Sequence, residues 1–217
     1  MKITIIYDNE ACKGLKSGWG FSCLIEDKRK VLFDTGWDGA ILLSNMKALG
    51  INPKDIDIIV LSHDDWDHIG GLTWVLKLNP DVEVYAPSSF SKRLREEIKS
   101  KAKLIEVDGL VKICERVYTT GVLGTATKEQ SLLLETKEGL IVITGCAHPG
   151  LSVILDRASS IGHVYGIIGG FHGFEDYDLL NDMGFIVPCH CTVHKSEISR
   201  LFSDTCKTNG AGWSTEF

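Results

Sequence analysis

One short stretch constrains this chain more than any other. His63, Asp65, Asp67 and His68 follow directly on the apolar run Ile58-Ile59-Val60-Leu61 and are closed by Gly70-Gly71. A short continuous apolar run reads as a strand buried on both faces. Residues two apart in extended chain point the same way, so His63 and Asp65 can share one target. Asp67 and His68 come after a turn, face elsewhere, and can hold a second target close to the first. Two imidazoles and two carboxylates so placed are the donors of a two-metal site. The competing reading is local: Asp65 or Asp67 caps a helix that begins near His68.

Other strand ends repeat the pattern. His148 follows Leu140-Ile141-Val142-Ile143, and His190 follows Phe185-Ile186-Val187-Pro188. Three separate strand ends therefore deliver a histidine; an ordinary core histidine is the competing reading for each of the later two. Cys146 is either a thiolate ligand or a small buried apolar side chain. His172 comes after Gly169-Gly170-Phe171, where the chain can turn sharply, and suits substrate contact or acid catalysis. Asp34 closes an apolar strand. It fits a carboxylate that takes the second ring proton of a ligand histidine and so fixes its tautomer.

These residues carry a resemblance. The stretch from His63 to His68 resembles the HxHxDH motif of the metallo-β-lactamase superfamily, with Asp65 in place of the second histidine. Phe33-Asp34-Thr35-Gly36 is similar to the DTG element of that family. Thr144-Gly145-Cys146-Ala147-His148, Gly169-Gly170-Phe171-His172 and Pro188-Cys189-His190-Cys191-Thr192 are similar to one branch. Its members are described as 7,8-dihydropterin-6-methyl-4-(β-D-ribofuranosyl)aminobenzene-5′-phosphate synthase-like.

The resemblance implies an α/β (α+β) chain folded as one metallo-β-lactamase-like domain over residues 1–217. That fold is a four-layer αβ/βα sandwich, with two sheets face to face, helices outside and the site at one edge. It implies His63, Asp65 and His148 on one metal and Asp67, His68 and His190 on the other. Cys146 stands where an aspartate bridges the metals in much of the superfamily, and Glu129 near where other members carry a histidine. Asp67 and His172 are the expected catalytic side chains. The expected cofactor is zinc, one or two ions. The added carboxylate Asp65 makes iron or manganese the alternative, because hard oxygen donors suit them.

The activity implied is that of a hydrolase-like enzyme with a metal-activated water, acting on a phosphorylated or pterin-type small molecule. The branch reaction would instead be a condensation. Two rivals stand beside it: a di-iron redox protein of the same fold, whose usual flavin domain does not fit in this chain, and a non-catalytic metal-binding scaffold.

Composition narrows the partners. A net charge of −6 argues against a nucleic-acid surface. The basic cluster from Lys92 to Lys103 is interleaved with Glu96 and Glu97, as on a solvated helix face. Seven cysteines without a paired framework fit a reducing compartment, so the expected location is the cytoplasm. No apolar run reaches the length of a membrane span. Oligomeric state stays open. Hairpins early and mid-chain, then strands alternating with helices, give α/β or α+β. Among the expected elements are helices over 71–78, 87–100 and 175–183 and a single strand over 111–119.

Overall fold

The computed structural model describes residues 1–217. Its chain divides into two units, one made of Met1–Asp108 with Gly210–Phe217 and the other of Gly109–Asn209.

The first unit holds β1 (Lys2–Tyr7), β2 (Ser22–Glu26), β3 (Lys30–Phe33), α1 (Gly39–Ala48) and β4 (Ile58–Val60). After these come α2 (Trp66–Ile69), α3 (Leu72–Leu78), β5 (Glu83–Pro87), α4 (Lys92–Lys99), β6 (Lys103–Val107) and the closing strand Ser214–Glu216. Its sheet runs closing strand, β1, β2, β3, β4, β5, β6. Neighbours are antiparallel up to β3 and parallel from β3 to β6.

The parallel strands explain the sequence. β4 is buried at every position, which is why it reads as unbroken Ile-Ile-Val. Ile59 packs in a core with Leu24, Leu32, Leu42, Met46 and Val84. Truncating such a fully buried aliphatic residue to alanine costs about 2–5 kcal/mol. Helix α1 starts because the Asp38 carboxylate accepts hydrogen bonds from the N–H groups of Ala40 and Ile41. It stops at Gly50, whose φ of 71° ends the helical path.

The second unit holds β7 (Val111–Cys114), β8 (Val117–Thr119), β9 (Leu132–Glu135), β10 (Leu140–Thr144), α5 (Leu151–Ser159), β11 (Val164–Gly170), β12 (Phe185–Cys189) and α6 (Lys195–Leu201). Its sheet runs β12, β11, β10, β9, β8, β7, parallel from β12 to β10 and antiparallel beyond. Leu133, Val142, Ile154, Ile167 and Ile186 share a buried core. In both sheets the candidate histidines lie just past the C-terminal ends of parallel strands, where open α/β sheets present their ligands.

Four elements differ from the sequence expectation. The strand expected over 111–119 is the hairpin β7–β8, with Cys114 paired to Val117 across a two-residue turn. Arg116 takes a φ of 62° there, which no periodicity of apolar residues announces. The helix expected over 87–100 begins only at Lys92. Ser91 caps it through its side chain, while Pro87 still belongs to β5. The segment around Glu175 forms a single 3₁₀ turn, Tyr177–Leu180. The helix expected over 71–78 is preceded by a short helix of its own, α2, which carries Asp67 and His68. No helix is long and apolar enough to cross a membrane.

Candidate functional site

The candidate residues form a cluster in each unit. In the first, Asp34 ends β3 in the left-handed region, with φ 56° and no exposure. Its Oδ1 accepts a hydrogen bond from the Ser62 N–H at 2.7 Å. Its Oδ2 accepts one from the Ser62 hydroxyl at 2.7 Å and lies 2.7 Å from His68 Nδ1. An ionised carboxylate only accepts, so Nδ1 of His68 carries the proton. Ser62 Oγ also lies 2.8 Å from His63 Nδ1. The serine's one proton goes to Asp34, so its oxygen accepts from His63 Nδ1–H. One buried carboxylate thus sets the tautomer of two histidines, one directly and one through a hydroxyl. In both rings the lone pair is left on Nε2.

Those rings are fully buried, with centroids 4.1 Å apart and planes tilted by 45°. Asp65 Oδ2 is 3.3 Å from His63 Nε2, and Asp67 Oδ2 is 4.0 Å from His68 Nε2. Asp65 occupies the N-cap position of α2, but its side chain makes no capping hydrogen bond. The carboxylate turns toward His63 instead. Thr35 fixes the backbone of His68: its N–H and hydroxyl both donate to the His68 carbonyl, at 2.7 and 2.9 Å.

In the second unit the organising group is Glu129, 1% exposed. Its Oε1 accepts hydrogen bonds from the N–H groups of Gly145, Cys146 and Ala147 at 3.0, 3.0 and 3.1 Å. Its Oε2 accepts from the His148 N–H at 3.0 Å and faces His148 Nδ1 at 3.1 Å. The ring of His148 lies 5.1 Å from that of His172, an exposed residue. His190 is buried, 3% exposed, just past β12.

Cys146 is buried, and Cys191 approaches it, its Sγ 3.8 Å from the Cys146 carbonyl oxygen. The Cys146 side chain hydrogen-bonds the Cys191 thiol and holds its pKa below the ordinary value, against the opposing effect of burial. This close packing needs Gly170: a Cβ there would land on the Gly145 carbonyl and the Cys191 sulfur. In the first unit burial, followed by the charge of Asp34, pushes the Cys23 thiol well up.

Backbone strain concentrates at these loops. The non-glycine residues with positive φ are Asp34, Arg116, Ala147, His172 and His190. All but Arg116 are candidates or their immediate neighbours. Each such conformation costs of order 1–3 kcal/mol and persists only where surrounding contacts enforce it.

The sequence reading missed Ser62, which gave no signal, since a serine after a strand is commonplace. Glu129 was expected only to stand near where other family members carry a histidine. Its hold on the backbone of residues 145–148 was not read, although a charged residue leading into the apolar run Leu132-Leu133-Leu134 is out of place unless something satisfies it.

Residues 20–160 match the Metallo-beta-lactamase superfamily. A 7,8-dihydropterin-6-methyl-4-(beta-D-ribofuranosyl)-aminobenzene-5'-phosphate synthase from Methanocaldococcus jannaschii is 30% identical, over 82% of this chain and 82% of its own. A UPF0173 metal-dependent hydrolase from Sulfolobus acidocaldarius is 26% identical, over 77% of this chain and 78% of its own. A crystal structure of a metal-dependent hydrolase of the beta-lactamase superfamily superposes with a TM-score of 0.80. It is 27% identical and covers 100% of this chain and 99% of the other.

Proposed function

Because this chain belongs to the metallo-β-lactamase superfamily, we propose that it is a metal-dependent hydrolase acting on a phosphorylated or pterin-type small molecule. We draw its metal ligands from His63, Asp65, Asp67, His68, His148 and His190, with Cys146 as a further thiolate donor. The observation that carries this reading is the arrangement at Asp34. A carboxylate that takes the Nδ1 proton of two histidines and leaves both Nε2 lone pairs available is a ligand-orienting device. The donor set fits a divalent transition ion: imidazole nitrogens suit zinc, and the carboxylates of Asp65 and Asp67 suit iron or manganese as well. Bound there, such an ion would supply Lewis acidity and lower the pKa of a water toward neutrality.

The chain's own groups do the rest. Asp67 accepts a hydrogen bond from the attacking water and orients it. His172, exposed and beside His148, protonates the leaving group from its ring nitrogen. Asp34, Ser62 and Glu129 hold the rings that these steps rely on. The cysteine count supports a reducing, cytoplasmic setting. A second reading, condensation in place of hydrolysis, is favoured by the similarity to the Methanocaldococcus jannaschii synthase.

Elemental analysis of protein purified without added metal tests the ligands. Wild type should carry a transition metal, and His68→Ala should carry markedly less. Equal stoichiometry in the two proteins refutes the assignment. Asp65→His should shift selectivity toward zinc, and unchanged selectivity removes Asp65 from the ligands. A panel of phosphoesters and carboxylic esters tests the chemistry. Hydrolysis abolished by His63→Ala supports the primary reading. A metal-loaded protein inert on the whole panel favours condensation.

A further inference from the structure

Glu129, a buried carboxylate of the second unit, is gripped by the main chain that follows β10. Three consecutive N–H groups, from Gly145, Cys146 and Ala147, point at one of its oxygens, and the next N–H and ring of His148 point at the other. Successive N–H groups that converge in this way form a concave anion site, a nest. We propose that Glu129 is the built-in anion of this nest, a positioning residue that holds segment 145–148 in the conformation presenting Cys146 and His148. It is not a metal ligand, although it stands near where family members carry a histidine.

The geometry favours this over ligation. Both carboxylate oxygens are engaged inward, one by three donors and the other by two. The segment also needs an external hold. Ala147 lies at φ 60°, a conformation that alanine does not adopt without being forced. Helix α5 begins only at Leu151, so no helical hydrogen bonding of these amides replaces the carboxylate. Without the anion, three adjacent buried donors and the part-buried N–H of His148 would converge on an empty space, and each buried unsatisfied group costs about 1–3 kcal/mol. The carboxylate also fixes the proton of His148 on Nδ1 and leaves Nε2 to act, the same outcome that Asp34 gives His68. The claim that the segment serves metal chemistry rests on the function proposed above; the claim that Glu129 holds it does not.

Two variants separate charge from shape. In Glu129→Gln the side chain keeps its size, but its NH₂ group faces the His148 donors, donor against donor. In Glu129→Ala the nest is vacated and a formate ion can enter it. The measurement is amide hydrogen exchange of residues 145–148 in the full chain, with no substrate present. Exchange should quicken by about 10–100-fold in both variants, as expected for the loss of buried charge-assisted hydrogen bonds. Formate should restore protection and metal content in Glu129→Ala but not in Glu129→Gln, where the space is filled. Unchanged exchange in Glu129→Gln overturns the proposal, and so does a folded Glu129→Ala that formate leaves unprotected. If Glu129→Ala does not fold, exchange in Glu129→Gln decides alone. A wild type inert toward every ester, with exchange still dependent on Glu129, would sink the hydrolase reading and leave this one standing.

Discussion

Asp34 and Glu129 are both buried carboxylates that steady histidine-bearing loops, and they do so through different atoms. Asp34 holds mainly side chains: the ring of His68, the hydroxyl of Ser62 and, through it, the ring of His63. Glu129 holds mainly backbone, with four N–H groups and a single ring nitrogen. Strand pairing accounts for the difference. β3 and β4 are parallel, with Phe33 beside Val60, so the residues just past their ends emerge side by side and meet through their side chains. β9 and β10 are antiparallel, with Leu132 opposite Ile143. Carried three residues further, that register sets Glu129 opposite Cys146, so its side chain meets the returning main chain. Parallel pairing yields a tautomer clamp, and hairpin pairing yields a backbone cradle.

The sharpest way to break this comparison is Asp34→Asn. Asparagine tolerates the left-handed backbone at this position, so the substitution isolates the charge. Metal affinity, measured by chelator competition, should fall by roughly 10–100-fold. Amide exchange around β4 should change only at Ser62, whose N–H is the backbone group that Asp34 holds. A broad loss of protection over several consecutive amides would show that Asp34 is a backbone cradle too. Unchanged affinity would show that it clamps nothing that matters to the metal.

Much of this was legible beforehand, for identifiable reasons. Buried parallel strands announce themselves as apolar runs, so β4, β10 and β12 and the histidines behind them could be read directly. The two-apart spacing of His63 and Asp65 put their side chains on one side, and in the structure the two approach to 3.3 Å. Features fixed by turn geometry were not legible. The Glu115-Arg116 turn carries no glycine, and the short helix α2 is too brief for any periodicity. The role of Glu129 depends on a register between strands, which residue types alone do not specify.

A smaller test acts on the indirect half of the clamp. Ser62→Ala removes the hydroxyl between Asp34 and His63 but leaves the contact of Asp34 with His68 intact. A hydrogen bond of this kind is worth about 1 kcal/mol net, so metal affinity should drop roughly fivefold. The loss should be smaller than for Asp34→Asn. An equal or larger loss would mean that the serine, not the carboxylate, is the centre of the arrangement.

The smallest expected effect comes from a carboxylate that neither clamps nor cradles. Glu83, at the start of β5, is half-buried at the surface and pairs with Lys103 at 2.6 Å and Arg29 at 3.2 Å. The hydrogen bond from Lys103 is the main cause of its lowered pKa, with burial opposing and Arg29 adding to it. A carboxyl group whose pKa is lower in the folded than in the unfolded chain binds protons more readily when unfolded. Its contribution is therefore present above the unfolded glutamate value of about 4.3 and is lost as pH falls through the lower folded value. Solvent screening keeps such a pair to a few tenths of a kcal/mol. Glu83→Gln should accordingly lower stability to urea slightly at pH 7, less in high salt, and not at all at pH 2. Metal content should be unchanged at every pH where the protein is folded. A loss at Glu83 as large as that at Asp34 would mean that burial and donor geometry are not what distinguish the carboxylates of the two clusters.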